Sequence, residues 1–306
     1  MKIGLVDLDT SHPENWVPIE RDLGHEVVGV WDAGDVHPPG YAKQFARTHD
    51  VPRVYESLDE LAADVDCAIL HGCDWDRRIE RARPFVEAGR AVFVDKPIAG
   101  CPEDLEAIAA MAQRMVRLTG GSSLRYCEEV QQFREQPVGD RGTPHTVFCG
   151  CGVDEYNYGI HAYTLLHAIM GAGPISARHV HQGVQRRIEI HWPGHRTGIL
   201  MIGAAEQWLP FHATIVTEKS VSAFNVDASR LYRSMLEVVL PYLEGRLEQP
   251  PVSPRELIEP ELMALAAKLS WENGDRPVRL DELNSGTVSY DGAAFAVEYK
   301  ASKYGG

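Results

Sequence analysis

Along the first third of the chain the apolar positions come in short unbroken runs, not in alternation. Ile3–Val6, Glu26–Trp31, Cys67–Leu70 and Ala91–Val94 each end in polar residues or a turn. The stretches between them, Tyr41–Thr48, Ser57–Ala63, Arg77–Ala88 and Pro102–Val116, carry helical spacing. Buried strands alternating with helices predict βαβ units and a doubly wound parallel sheet. Helix punctuation agrees: Ser57 and Glu60 form a predicted capping box, and Gly89 follows Ala88 as a C-terminal glycine.

Beyond about residue 122 the texture changes. His145–Cys151, Ala177–Gly183, Arg187–Trp192, Gly198–Gly203, His212–Val216 and Ser220–Phe224 follow one another as strands. Helical spacing returns at Tyr158–Met170, Ala228–Gly245 and Pro254–Glu272, and Val278-Arg279-Leu280 closes the pattern. Strands in succession without crossover helices predict a mostly antiparallel open sheet beside helices, a second α/β domain. The domains expected are 1–122, 123–283 and a polar tail, 284–306, with strand-like pieces.

Charge narrows the function. Asp and Glu outnumber Lys and Arg by 44 to 30, a formal net charge of −14. A nucleic-acid binder needs a basic face, so none is expected. No apolar stretch is long enough to span a membrane, and the start of the chain does not read as a signal peptide. Six scattered cysteines without a Cys-x-x-Cys pair suit buried thiols and a cytoplasmic setting.

In a doubly wound sheet, ligands bind outside the carboxyl ends of the strands. The first such loop is Asp7-Leu8-Asp9-Thr10-Ser11-His12-Pro13. A dinucleotide fold places Gly-x-Gly-x-x-Gly there, and the three glycine places are filled by Asp7, Asp9 and His12. Glycine serves a tight turn and close approach to a pyrophosphate, whereas carboxylates repel it, each pair by up to about 4 kcal/mol at 4 Å and an effective dielectric near 20. Ser11 and Glu14 still form a predicted capping box with Pro13 in the first turn, so free amides could meet an anion. Asp32, at the end of the second strand, stands where an acid accepts from the adenine ribose and favours NAD over NADP.

Several stretches resemble the glucose–fructose oxidoreductase / inositol dehydrogenase (Gfo/Idh/MocA) family. Val94-Asp95-Lys96-Pro97 is similar to its Glu-Lys-Pro motif, and Gly159-Ile160-His161 to its Asp-x-Gly-x-His segment. Tyr55–Leu61, Val65–Ile69, Glu87–Val94, Pro251-Val252-Ser253 and Gly274–Val278 resemble the family's text in the same order. The resemblance implies a Rossmann-like domain, an α/β domain whose open sheet forms a homo-oligomer (a dimer or tetramer), and NAD- or NADP-linked chemistry on a small sugar- or polyol-like substrate. It implies Lys96 and His161 as catalytic residues. Asn157 stands where the family has an acid, and an amide cannot take a proton. The cofactor is then expected against Asp7, Leu8, Asp9, Thr10, Ser11, His12, Asp32, His71 and Lys96. The substrate is expected against Arg125, Tyr126, Tyr158 and His161.

Other readings stand beside this one. Asp7, Asp9, His12, His71 and Asp74 all fall at strand ends facing one crevice. Mixed carboxylates and imidazoles suit a divalent metal, and with it a lyase, isomerase or hydrolase. Val6-Asp7-Leu8-Asp9-Thr10 alone is similar to the nucleophile loop of haloacid-dehalogenase phosphatases. A non-catalytic ligand sensor is the remaining expectation.

Overall fold

The computed structural model describes residues 1–114 and 116–305. The first layer is a six-stranded sheet of β1 (Lys2–Val6), β2 (Glu26–Trp31), β3 (Arg53–Val54), β4 (Cys67–Leu70), β5 (Ala91–Asp95) and β6 (Leu118–Gly121). Their order is β3-β2-β1-β4-β5-β6 and every pairing is parallel. The helices between them are α1 (His12–Asp22), α2 (Tyr41–Thr48), α3 (Leu58–Asp64), α4 (Arg78–Glu87) and α5 (Pro102–Arg114). The helix predicted to end at Val116 is described to Arg114, and Met115 lies outside the described residues. Strands β4 and β5 are buried along their whole length, which is why they read as continuous apolar runs.

Between the sheets lie α6 (Glu128–Glu135) and the single turn α7 (Val138–Arg141). The second sheet is built from β7 (Pro144–Gly152), β8 (Ser176–Gln182), β9 (Arg186–Trp192), β10 (Arg196–Ile202), β11 (Leu209–Thr217), β12 (Val221–Asn225) and β13 (Val278–Arg279). Its order is β12-β11-β7-β10-β9-β8-β13, antiparallel except for β10 beside β7. Inward residues alternate with partly exposed ones along β9, β10 and β11. On its inner face pack α8 (Gly159–Met170), buried throughout, and α10 (Pro254–Glu272), opened by a Ser253/Glu256 capping box. Helix α9 (Leu231–Leu243) returns to the first layer, where Met235, Leu236 and Val239 join the cluster of Leu5, Trp16 and Phe93.

Two local expectations fail. The Ser11 side chain makes no capping bond to α1: its own backbone is already helical (φ −80°, ψ −3°), whereas a side-chain cap needs an extended residue. Glu14 instead accepts from the Tyr41 hydroxyl at 2.7 Å. At Ser57, with φ −142° and ψ 157°, the serine half of the box does form. The second failure is the tail, which holds a helix, α11 (Gly292–Tyr304), in place of strand-like pieces. Asp291 caps it by accepting from Ala294 N, and the helix is hung on the first layer: Gly292 N donates to Asp76 and Trp75 Nε1 to the Tyr290 carbonyl.

Candidate active site

The first loop keeps a left-handed backbone at its first glycine place: Asp7 has φ 62°, a value aspartate tolerates better than most residues. Its carboxylate is turned into the protein, where Oδ1 accepts from Ala33 N and Oδ2 from Arg81 Nε, both at 3.2 Å. Asp9 is buried more deeply. One oxygen accepts from Cys73 N at 2.8 Å and the other has no partner. Burial, with Asp7 and Asp32 nearby, pushes the Asp9 carboxyl up to about 7. Near neutral pH much of it is therefore uncharged. Asp32 Oδ1 accepts from Leu8 N at 3.2 Å and so ties the loop to the end of β2. Thr10 Oγ1 accepts from His12 N.

Helix α11 forms the outer wall of this crevice. Lys303 Nζ donates to the Asp9 carbonyl at 3.2 Å. Tyr304 bonds His37 Nδ1, whose Nε2 meets the Leu8 carbonyl at 2.9 Å. Val36, Cys73 and Ala296 pack together beneath Phe295 and Tyr299. Lys303, Tyr304 and His37 carry no signal in the sequence, because residues so far apart along the chain have no spacing to read.

At the ends of β4 and β5 the expected residues do converge. Asp95 Oδ2 lies 2.5 Å from His12 Nδ1 and 3.4 Å from His71 Nδ1, and Asp95 Oδ1 accepts from Lys96 N. The two imidazoles hold the Asp95 carboxyl well below the usual range despite its burial. His12 stacks on Trp16, and Tyr232 from α9 meets its ring edge-on.

Lys96 reaches from the end of β5 across to the second layer. Its Nζ donates to the carbonyl and side-chain oxygens of Asn157, each at 3.0 Å, and lies 5.3 Å from the centre of the Tyr158 ring. The His161 ring, 5.7 Å away, borders the same tyrosine. Burial lowers the Lys96 ammonium, partly countered by Asp95 and Asp154. Burial first, and then the neighbouring Lys96 charge, puts His161 well below its ordinary value, so the ring is neutral. Ser122 Oγ lies 2.6 Å from His161 Nδ1 and accepts from Leu124 N, an arrangement that favours the Nε2–H tautomer. Beside Asn157 opens a cavity of about 360 Å³ lined by Trp75, Asp154, Tyr156, Tyr290, Phe295 and Glu298, among others.

Two expected substrate residues lie elsewhere. Arg125 is buried, its guanidinium taken by His167 Nδ1 at 3.0 Å and by the Glu256 carbonyl. Tyr126 belongs to the core cluster around Trp16. Asp74 caps the turn at Asp76, and neither Asp7 nor Asp9 joins His12 and His71. Those two acids are held by Arg81 and by backbone amides instead.

Residues 3–119 match the model of the Gfo/Idh/MocA oxidoreductases, described as an oxidoreductase family with an NAD-binding Rossmann fold. The match covers the N-terminal sheet and its helices, so that layer is similar to the Rossmann domain of these oxidoreductases. Among its relatives, trans-1,2-dihydrobenzene-1,2-diol dehydrogenase of Oryctolagus cuniculus is 33% identical over 90 residues, 29% of this chain and 26% of that protein. The dehydrogenase aclE of Aspergillus oryzae is 29% identical over 149 residues, 44% of this chain and 39% of its own length. The chain therefore aligns with well under half of either relative. Solved structures match far more of it. A probable dehydrogenase from Thermotoga maritima superposes with a TM-score of 0.79 at 15% identity, covering 93% of this chain and 100% of that one. Myo-inositol dehydrogenase from Lactobacillus casei, solved with NAD(H) and myo-inositol, gives 0.76 at 14% identity, covering 91% and 96%. At such identities the likeness shows the shared two-layer fold. Among the described residues, no helix is long and apolar enough to cross a membrane.

A Rossmann layer similar to that of NAD-binding oxidoreductases implies a dinucleotide, and the crevice fits one electrostatically. Arg81 neutralises Asp7, burial raises Asp9, and Lys303 brings an ammonium to the head of α1. The N–H groups of Asp9, Thr10 and Ser11 make no bond among the described residues. Free amides at a helix start, with a cation beside them, suit a phosphate.

Proposed function

We propose that this protein is an NAD(P)-dependent oxidoreductase acting on a small sugar- or polyol-like hydroxyl or carbonyl compound. The observation that carries the reading is the pairing of a buried Lys96 with a neutral His161 around Tyr158, at the carboxyl edge of the parallel sheet. The amides of Asp9, Thr10 and Ser11, with Lys303, would hold the cofactor's phosphates, on a loop fixed by Asp7 and Leu8. Asp32 would face the adenine ribose and disfavour a 2′-phosphate, so NAD is the expected form. The bound cofactor supplies a hydride acceptor or donor.

The chain's own residues handle the proton. Lys96, with its ammonium destabilised by burial, releases its proton more readily than an exposed lysine and can then take one from a substrate hydroxyl. Asn157 fixes the amine by accepting two of its hydrogens and cannot compete for the proton. His161, oriented by Ser122, offers its other ring nitrogen to the same substrate oxygen or its neighbour. Trp75, Tyr156 and Tyr290 give the neighbouring cavity aromatic walls, with Asp154 and Glu298 as acceptors for hydroxyls, a lining suited to a polyol ring. The partly exposed outer face of the second sheet is where a second copy would dock to make a homo-oligomer.

Two measurements test this. Titration calorimetry with NAD and NADP should show one site per chain. A panel of polyols and aldoses, followed by reduced-nicotinamide absorbance, should reveal turnover. Failure to bind either dinucleotide overturns the reading.

A further inference from the structure

We infer that His12, His71 and Asp95 form a binding site for one divalent transition-metal ion, of the zinc, manganese or iron(II) class. One ligand atom from each residue lies within 4.8 Å of the other two. Asp95 Oδ2 is shared, at 2.5 Å from His12 Nδ1 and 3.4 Å from His71 Nδ1. Ligands about 2.1 Å from a single ion stand roughly 3.0–3.4 Å apart, so the His12–Asp95 pair has to open by less than about 1 Å to admit one. Two imidazoles and one carboxylate are a common donor set for these metals and leave the remaining positions to water or to a substrate oxygen.

The surroundings are built as a metal site is built. Trp16 stacks on His12 and meets His71 edge-on, fixing both rings. Lys96 N donates to the other Asp95 oxygen and so leaves Oδ2 to the cluster. His71 is fully buried, and among the described residues the only polar contact of its ring is with Asp95. The charges nearby are mixed. Arg78 and Lys96 oppose a cation, while the Asp95 carboxylate favours one. The proposal stands apart from the dinucleotide reading, because metal affinity is measured without cofactor or substrate.

The test uses the whole protein after chelator treatment and dialysis. Zn²⁺ and Co²⁺ are titrated in by calorimetry, and the visible spectrum of the Co²⁺ form is recorded. One ion per chain is expected, with a Co²⁺ band of the intensity that low-coordinate imidazole sites give. H12Q and D95N should each weaken binding at least tenfold while keeping the wild-type circular dichroism, and H145A, on the exposed start of β7, should bind as wild type does. If a variant unfolds, the wild-type stoichiometry and Co²⁺ band decide the matter alone. Absence of a stoichiometric ion in wild type, or equal binding by a folded H12Q, overturns the proposal.

Discussion

The ammonium of Lys96 is held by both oxygens of Asn157, the carbonyl and the side-chain amide, at 3.0 Å each. One residue of the second layer thus aims a side chain that grows from the first. If Lys96 moves the substrate proton, Lys96→Met should cost about 10²–10⁴ in kcat, the usual worth of a positioned acid or base. Asn157→Ala removes the side-chain acceptor and keeps the carbonyl, so the amine is less firmly aimed, and a loss of about tenfold is expected. Steady-state kinetics on the best substrate of the panel, with melting curves to show folding, would measure both.

Glu20 gives a pH prediction with a definite sign. It is fully buried, neither carboxylate oxygen has a partner among the described residues, and burial raises it from 4.5 to about 8. Between those values the folded chain keeps a proton that the unfolded chain has lost, so stability falls as pH rises through that window. The slope from this one group approaches ~1.4 kcal/mol per pH unit. Glu20→Gln should remove it and leave the variant more stable than wild type at pH 8, but close to it at pH 4.5. Urea melts across that range decide the point.

Lys303 is the cation that α11 brings to the first loop. Lys303→Ala should weaken NAD binding by about three- to tenfold, and the difference should shrink as salt is raised, because a partly exposed charge is screened. Fluorescence titration with NADH at two ionic strengths would show it.

Asp32 should set the choice of cofactor. Wild type is expected to favour NAD over NADP by at least about tenfold in kcat/KM, and Asp32→Ala to narrow that ratio. Because Asp32 also holds Leu8 N, the variant should lose some affinity for both forms.

Gly100 anchors the tail. A Cβ there would fall 2.2 Å from the Tyr290 carbonyl and 2.4 Å from Trp75 Nε1, and Tyr290 N donates to the Gly100 carbonyl. Gly100→Ala should destabilise the protein by roughly 1–3 kcal/mol, the usual cost of overpacking. It should also make residues 284–305 an early target in limited proteolysis, while the sheet beneath stays intact.

Much of the first layer was legible because burial on both faces leaves an unmistakable mark: Cys67–Leu70 and Ala91–Asp95 have no exposed residue to break the run. Helix α11 was not, because it buries little. Only Gly292 and Ala296 are fully enclosed, so its sequence lacks an apolar stripe. The one available sign was Asp291 ahead of the helix as its cap. At the site, Lys96, Asn157 and His161 came from motifs that are local in sequence. Asp95 stood inside a quoted motif, yet its bond to His12 spans 83 positions and no local pattern encodes that. Arg125 read as a substrate contact because exposure cannot be seen in a sequence; the fold turns it toward His167.

The bond between Lys303 and the Asp9 carbonyl joins residues 294 positions apart. A contact of such separation closes one of the largest loops the chain can make, and that entropy is recovered only after both layers have formed around it. On refolding, the lid over the first loop should therefore be the last piece to click into register. On warming, it should be the first amide cluster to exchange with deuterium, well before the sheet below it opens.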